Sequence, residues 1–217
     1  MLVKYRMTPN PITVSPDLPI AEALEQMRQE DIHRFPVVDK KGKLVGVVTH
    51  KDLLYASPSS VTSLNVWEVT YLLNHVKVKE TMTKKVITVE EDCPIEDAAR
   101  LMRDKEIGGL PVMRGDELVG IITESDLFDV FLELFMAQEE GVRITVLAPY
   151  FKGSLAQISA AVTEKGGLIH ALNTFLGEDE SNWGCQLKVA DISKEELIEV
   201  VEPLVIKIMD VREIEKA

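Results

Sequence analysis

The stretch GVVTHKDL, residues 46–53, recurs later in the chain as GIITESDL, residues 120–127. In each copy a short apolar run predicts a buried strand, and the polar residues after it predict the start of a helix. Both copies also place an Asp three residues after a Thr. This spacing is typical of a capping box, in which the two side chains bond the free amides of a first helical turn. The stretch therefore predicts, twice, a strand that leads directly into a helix.

The likeness between the two copies extends well upstream of this stretch. At one constant offset, residues of the first copy match residues of the second: Met7-Thr8 with Met82-Thr83, Ile12-Thr13-Val14 with Ile87-Thr88-Val89, Pro19-Ile20 with Pro94-Ile95, and Ile32 and Pro36 with Ile107 and Pro111. A single deleted turn residue in the second copy accounts for the later shift in register. The first two thirds of the chain is therefore an internal duplication, and such a repeat constrains the fold more than any single motif.

Composition and charge exclude several classes of protein for this chain. The chain has 217 residues, 46% of them apolar and 28% charged, which is ordinary for globular domains, and its formal net charge is −12. Such an acidic chain is a poor partner for nucleic acid or for an anionic membrane. Cys93 and Cys185 show neither disulfide nor zinc spacing. The N-terminus lacks the apolar core of a signal peptide, and no apolar run is long enough for a bilayer span. We expect a soluble, cytoplasmic protein.

Each copy has the pattern β-α-β-β-α. Apolar residues recur at helical spacing at Ile20, Ala23, Leu24 and Met27 in the first copy, and at Ile95, Ala98, Ala99 and Met102 in the second. One short strand precedes the helix in each copy, and in the first copy it lies at residues 12–14. Two more strands follow it, at residues 35–38 and 44–48, and a Gly-containing turn joins them.

Two further helices are predicted outside this unit. Residues 57–60 predict a loop, and Leu64 to Val76 predict a helix that bridges the copies. Leu127 to Gln138 predict a helix that is apolar on most of its circumference, with Phe128, Phe131 and Phe135. It is too short to span a membrane, so either a partner subunit or the rest of the same chain is expected to cover it.

The third segment starts after Gly141, where the repeat pattern stops. Apolar runs predict strands at residues 143–147, 168–175, 186–189 and 205–211, and helical patterns lie at residues 154–164 and after Ser193. Ser193 and Glu196 form another capping box, and Pro203 is expected to end that helix. The order β-α-β-β-α-β is that of a ferredoxin-like fold, with two helices on one face of an antiparallel sheet.

These residues carry a resemblance to known families. The two copies, with their Met-Thr, Ile-Thr-Val, Pro-Val and Gly-x-x-Thr-x-x-Asp motifs, resemble a tandem CBS-domain pair, or Bateman module. The last third resembles an ACT domain through its Gly153-Ser154-Leu155 helix start and its Gly166-Gly167 stop, although the Asp usual before this Gly is missing. The whole is similar to the acetoin-utilisation accessory family. The resemblance implies an α+β fold with CBS repeats at 1–76 and 77–140 and an ACT domain at 141–217.

The resemblance also implies ligand sites between the two copies. Such pairs typically bind adenosine ligands, so the Asp is expected to hold ribose hydroxyls, while the Thr and the helix start suit a phosphate. In similar modules each site draws its Thr and Asp from one copy and its other residues from the other copy. The first site is then expected to contain Ile12, His33, Arg34, Pro36, Thr123 and Asp126, and the second Thr49, Asp52, Ile87, Gly108, Gly109 and Pro111.

Because each site combines residues of both copies, the two sites are predicted to be unequal. Arg34 suits a phosphate and His33 is a pH-sensitive second donor, so the first site is expected to prefer AMP, ADP or ATP. The second has glycines at the corresponding positions and is expected to be empty or to take a ligand with less phosphate. Lys51, beside Asp52, would add charge there. A solvated strand position is the other interpretation of both Arg34 and His33.

The resemblance to an ACT domain implies an amino-acid site at an interface between two such domains. Gly153, with Ser154 and Leu155, would allow close backbone approach, although a simple helix start explains the same residues. Pairing of edge strands between two copies of the chain is the alternative, and it would give a homodimer.

Catalysis would need convergent groups, such as a nucleophile with a base, a carboxylate pair or metal ligands. The sequence predicts none of these, so we expect no enzyme, no metal and no catalytic cofactor. The first hypothesis is a regulator that senses an adenine nucleotide or S-adenosylmethionine and transmits the binding signal to the ACT domain or to an unknown protein target. The other hypotheses are a dimeric scaffold that has lost its ligand, an amino-acid sensor that acts through the ACT domain, and an unrecognised enzyme.

Overall fold

A computed structural model describes residues 1–56 and 75–215 of the chain. The chain divides into two compact units, Met1–Leu127 and Phe128–Ala217. The predicted loop at residues 57–60 lies outside the described residues, and so does almost all of the predicted bridging helix, Leu64 to Val76.

The first unit contains the duplication as two similar sets of elements. After a 3-10 turn at Val3–Tyr5, the first repeat forms β1 (Thr8–Pro9), α1 (Ile20–Gln29), β2 (Arg34–Val38), β3 (Leu44–Thr49) and α2 (His50–Ala56). The second repeat forms α3 (Val78–Thr81), β4 (Val89–Glu90), α4 (Ile95–Lys105), β5 (Gly109–Arg114), β6 (Glu117–Thr123) and α5 (Glu124–Leu134). Helix α5 ends in the second unit.

The strand predicted at residues 12–14 is reduced to a single bridge. Val14 pairs in parallel with Val37, where the second repeat has a short strand, β4, parallel to β5. Pro11 and Pro16 flank the segment and lack backbone N–H groups, which shortens any ladder they adjoin. The remaining predicted strands and helices of the repeat are present, so the β-α-β-β-α order is confirmed for all but this first strand.

Each repeat reaches across to the other through its N-terminal Met-Thr. Strand β1 pairs antiparallel with β6, with Thr8 opposite Ile121, and Thr83 exchanges two backbone hydrogen bonds of 2.9 and 3.0 Å with Val47 of β3. The resulting sheet β1-β6-β5-β4 therefore contains residues of both repeats. This exchange holds the end of each Gly-x-x-Thr strand beside the other repeat.

The helices bury the face that their periodicity predicts. Ile20, Ala23 and Met27 of α1 are buried, as are the matching Ile95, Ala98 and Met102 of α4. Phe35, Val37, Val48 and Leu53 complete the core of the first repeat. Apolar burial of this kind stabilises the folded state by roughly 25 cal/mol per Å².

The second unit contains the predicted β-α-β-β-α-β order. Its elements are the end of α5, β7 (Gly141–Pro149), α6 (Ser154–Glu164), β8 (Leu168–Leu176), β9 (Asn182–Ala190), α7 (Lys194–Val201) with a 3-10 turn at Glu202–Leu204, and β10 (Lys207–Ile214). The strand order is β10-β7-β9-β8, with every neighbouring pair antiparallel. Ser193 and Glu196 form the predicted capping box, and α6 and α7 share one buried cluster with the sheet. The ferredoxin-like topology is thus confirmed.

Several apolar side chains of helix α5, which the sequence analysis expects a partner subunit or the rest of the chain to cover, are exposed. Phe128 and Phe131 are 68% and 55% exposed, Leu132 and Leu134 are also exposed, and only Val130 is buried. The helix ends at Leu134, before the predicted Gln138.

Candidate functional site

The two Thr-Asp pairs form the capping boxes predicted from their spacing. The backbone N–H and the hydroxyl of Thr123 donate to Oδ2 of Asp126, both at 2.7 Å. The corresponding bonds from Thr49 to Asp52 are 2.9 and 2.7 Å. Oδ1 of each Asp accepts no hydrogen bond from the described residues. One carboxylate oxygen therefore fixes the helix start while the other is available to a further donor.

The larger of two cavities between the repeats has a volume of about 380 Å³. It brings together Ile12, His33, Arg34 and Pro36 of the first repeat with Thr123 of the second. The other residues that line it are Thr8, Asn10, Pro11, Asp31, Ile32, Ile121 and Ser125. We call it the larger cavity.

The smaller cavity, of about 240 Å³, has the complementary composition. It brings together Thr49 of the first repeat with Ile87, Gly108, Gly109 and Pro111 of the second. Its other lining residues are Arg34, Val47, Thr83, Lys85, Val86, Glu106 and Ile107. Each cavity thus takes its Thr from one repeat and the other predicted residues that line it from the other repeat.

Three of the predicted site residues do not line these cavities. Asp52 and Asp126 lie in the first turn of their helices, with their carboxylates bonded to Thr49 and Thr123. Lys51 lies on the exposed face of α2, where its ammonium stands 5.6 Å from the centre of the Tyr55 ring. Lys51 is therefore not among the residues that line the smaller cavity.

Arg34 is half-buried and lines both cavities. Burial lowers the pKa of its guanidinium from the ordinary value, while the nearby carboxylates of Glu124 and Asp126 oppose this shift. With the residues that the structure describes, the guanidinium makes no hydrogen bond or ion pair. A partly desolvated cation without such a partner is well suited to an anionic ligand.

The cavities lie in a part of the chain that matches a known family. The model of the CBS domain matches residues 3–59 and 78–133, which together are more than half of the chain. The chain belongs to the CBS-domain family. A CBS domain-containing protein of Dictyostelium discoideum is 36% identical over 135 residues, a match that covers 62% of this chain and 93% of the relative.

Three solved CBS structures are similar to this pair. The CBS domain pair of protein MJ0100, in complex with 5′-methylthioadenosine and S-adenosyl-L-methionine, has a TM-score of 0.51 and 32% identity over 60% of this chain and 95% of that one. A proposed acetoin utilization protein (AcuB) from Vibrio cholerae has a TM-score of 0.53 and 32% identity, over 64% and 95%. CBSX2 in complex with AMP has a TM-score of 0.50 and 30% identity, over 60% and 96%.

Lys85 is a cation that the sequence analysis missed. It is exposed and lines the smaller cavity of the CBS pair. The equivalent position in the first repeat is Asn10, which lines the larger cavity. The offset that relates Met82-Thr83 to Met7-Thr8 was therefore the signal that could have found it.

His33 connects the larger cavity to the start of α2. Its backbone carbonyl accepts a hydrogen bond of 2.8 Å from the N–H of His50, and the two rings meet edge to face with centroids 6.1 Å apart. Gly108 accepts the matching bond, of 3.2 Å, from the N–H of Glu124 at the start of α5. In both CBS repeats this bond holds a helix start against the residues that line a cavity.

The candidate residues of the second unit lie at the start of α6. Gly153 has φ +99°, which favours glycine, and precedes the helix, while Ser154 is buried and Leu155 packs against the core. A separate open cavity in this unit is lined by other residues, among them Tyr150, Phe175 and Trp183. The structure therefore does not bring Gly153, Ser154 and Leu155 into that cavity.

Within residues 1–56 and 75–215, His, Cys, Asp and Glu side chains nowhere gather in threes as metal ligands would. In that same part of the chain, no helix combines the length and the apolar character needed to cross a membrane.

Proposed function

We propose that the protein is a non-catalytic regulator whose CBS pair binds an adenosine-containing ligand, with a phosphorylated nucleotide in the larger cavity. The observation that carries this proposal is the position of Arg34, a half-buried guanidinium without a hydrogen-bonding partner that lines the cavity together with Thr123. A phosphate there would accept charge-assisted hydrogen bonds from Arg34 and a hydrogen bond from the hydroxyl of Ser125, because both donors of Thr123 are already bonded to Asp126.

The remaining lining suits the other parts of a nucleoside. Ile12, Pro36 and Ile121 offer an apolar surface to a base. Asp126 is not part of the lining but follows Ser125, which is, and it keeps Oδ1 free while Oδ2 caps α5. A ribose that reaches Oδ1 would donate its hydroxyl hydrogens there without loss of the helix cap. Asp52 and Thr49 are arranged in the same way beside the smaller cavity.

The related structures support the same class of ligand. One CBS pair is in complex with 5′-methylthioadenosine and S-adenosyl-L-methionine, and another is in complex with AMP. The moiety common to these ligands is adenosine. We extend this class to the present chain, and we assign the phosphate to the larger cavity because Arg34 lies there and because it is the roomier of the two.

We further propose that the second unit is an ACT domain and that it receives the ligand signal. Its β-α-β-β-α-β order and its β10-β7-β9-β8 sheet support this assignment. Helix α5 carries Asp126 near its start and continues to Leu134, beyond the division at residue 127. A ligand shifts the balance between two conformations of the protein only if it binds them with different affinities. A homodimer contact or a protein target would then have to distinguish the two conformations.

Calorimetric titration with AMP, ADP, ATP, S-adenosylmethionine and NAD tests the proposed function. We expect one adenine nucleotide to bind, and Arg34→Ala to weaken it roughly 10- to 100-fold, because hydrogen bonds to charged groups contribute about 1.5–3 kcal/mol. Arg28→Ala is the matched control, since Arg28 is an exposed arginine that pairs with Glu25 on α1. Absence of binding for all five compounds, or equal losses in the two variants, would refute the proposal.

A further inference from the structure

One guanidinium serves both cavities of the CBS pair. A Cβ atom at Gly108 would lie 2.9 Å from Nη2 of Arg34, and a Cβ atom at Gly109 would overlap Nη1. At the repeat offset these glycines correspond to His33 and Arg34. The second repeat thus has no side chain where the first has its cation, and Arg34 occupies the space.

The carboxylates near Arg34 do not hold its guanidinium to one of the two cavities. Oε2 of Glu124 would lie 2.8 Å from the same Gly108 Cβ, and Asp126 adds a second carboxylate nearby. Neither forms a direct hydrogen bond or ion pair with the guanidinium. The larger cavity contains no other Lys or Arg among its lining residues, whereas the smaller has Lys85. A ligand phosphate in either cavity would therefore compete for the same partner.

We propose that the two cavities are negatively coupled through Arg34, so that a phosphorylated ligand in one weakens the binding of a phosphorylated ligand in the other. The inference rests on the proposed function, since it requires nucleotide binding in the cavities. The phosphate that binds second loses the guanidinium and meets the negative charge of the first phosphate. We expect a coupling of about tenfold, within the usual range for linked sites. Adenosine has no phosphate and would bind the two cavities independently.

Variants that close one cavity at a time measure the coupling. Ile12→Trp is designed to fill the larger cavity, and Ile87→Trp the matching position of the smaller one. Titration of each with AMP gives the affinity of the cavity left open. If the cavities were independent, these two affinities would describe AMP binding to the unmodified protein. We expect the second AMP to bind the unmodified protein about tenfold more weakly than that. In Arg34→Ala, and with adenosine in place of AMP, this deficit is expected to vanish.

A measurement without the tryptophan variants keeps the inference testable if either fails to fold. In the unmodified chain, the ratio between the two binding constants should be about tenfold larger for AMP than for adenosine, and Arg34→Ala should remove this difference. Equal ratios for AMP and adenosine, or two independent AMP sites, would overturn the coupling while leaving the proposed function intact. Absence of AMP and adenosine binding would instead overturn both.

Discussion

The thioether of Met7 occupies the space that a side chain at Gly120 would need. A Cβ atom at position 120 would overlap Sδ of Met7 and lie 3.2 Å from the carbonyl oxygen of Thr8. Met82 stands in the same relation to Gly46 in the other half of the CBS pair. The two contacts join the Met-Thr of each repeat to the Gly-x-x-Thr strand of the other, which is the strand that ends at a cavity.

Gly120→Ala is expected to destabilise the pair by about 1–3 kcal/mol, the usual cost of overpacking a filled site. Urea denaturation would measure the loss. Because the closest atom belongs to a flexible side chain, Met7→Ala should relieve part of it in the double variant. Gly46→Ala in the Met7→Ala background is the control and should gain no relief, since its neighbour is Met82. Additive effects of Gly120→Ala and Met7→Ala would contradict the contact.

Asp126→Ala and Asp52→Ala form a second matched pair. Each removes the acceptor of two capping bonds, so each should cost about 1 kcal/mol of stability. Only Asp126→Ala should also weaken binding in the larger cavity. Adenosine is the better probe, because loss of the Asp126 charge beside Arg34 would favour a phosphate and mask the lost ribose contact. If both variants bound adenosine in the larger cavity like the unmodified protein, the ribose role of Asp126 would be wrong.

Periodicity and repetition predicted most of the fold, because they report burial directly. The spacing of Ile20, Ala23 and Met27 identified the core face of α1, and the same spacing identified that of α4 in the second copy. The strand predicted at Ile12 was wrong in extent, since apolar residues between prolines do not suffice for a ladder. Strand order in the second unit followed from the order of elements.

The candidate site was only partly visible in the sequence. The Thr-Asp spacing predicted both capping boxes, but the crossing between repeats came from the family resemblance. The position of Arg34 over Gly108 and Gly109 depends on packing between residues far apart in the chain, which no local pattern encodes. The direction of Lys51 depends on where its residue falls around α2.

Cys185 provides a probe of unfolding of the second unit. Burial in the core of the second unit raises the pKa of its thiol to about 11, so it carries almost no thiolate at neutral pH. We expect Ellman's reagent to leave Cys185 unmodified in the folded protein and to label it in urea. Cys93→Ser isolates this signal, since Cys93 is the other free thiol. Rapid labelling of folded Cys93→Ser would show that the core around Cys185 opens.

Asp210 makes the stability of the second unit depend on acid pH. Arg143 donates to Oδ2 at 2.6 Å and Arg212 to Oδ1 at 2.9 Å, and these bonds lower the pKa of the carboxyl below its ordinary 3.8. A depressed pKa in the folded state contributes stability that is fully present above the unfolded value and is lost as the pH falls through the folded value. Asp210→Asn should therefore reduce stability at neutral pH, and the difference from the unmodified chain should disappear below the lowered pKa.

Urea unfolding at neutral pH and in acid, followed for both chains, would measure this convergence. Glu199→Gln is the control, because its 3.4 Å pair with Lys165 is exposed and contributes little. A difference between Asp210→Asn and the unmodified protein that persisted unchanged into acid would mean that the carboxylate charge is not its source. The amide would then be destabilising through its geometry between β10 and β7, where Arg143 and Arg212 lie opposite one another.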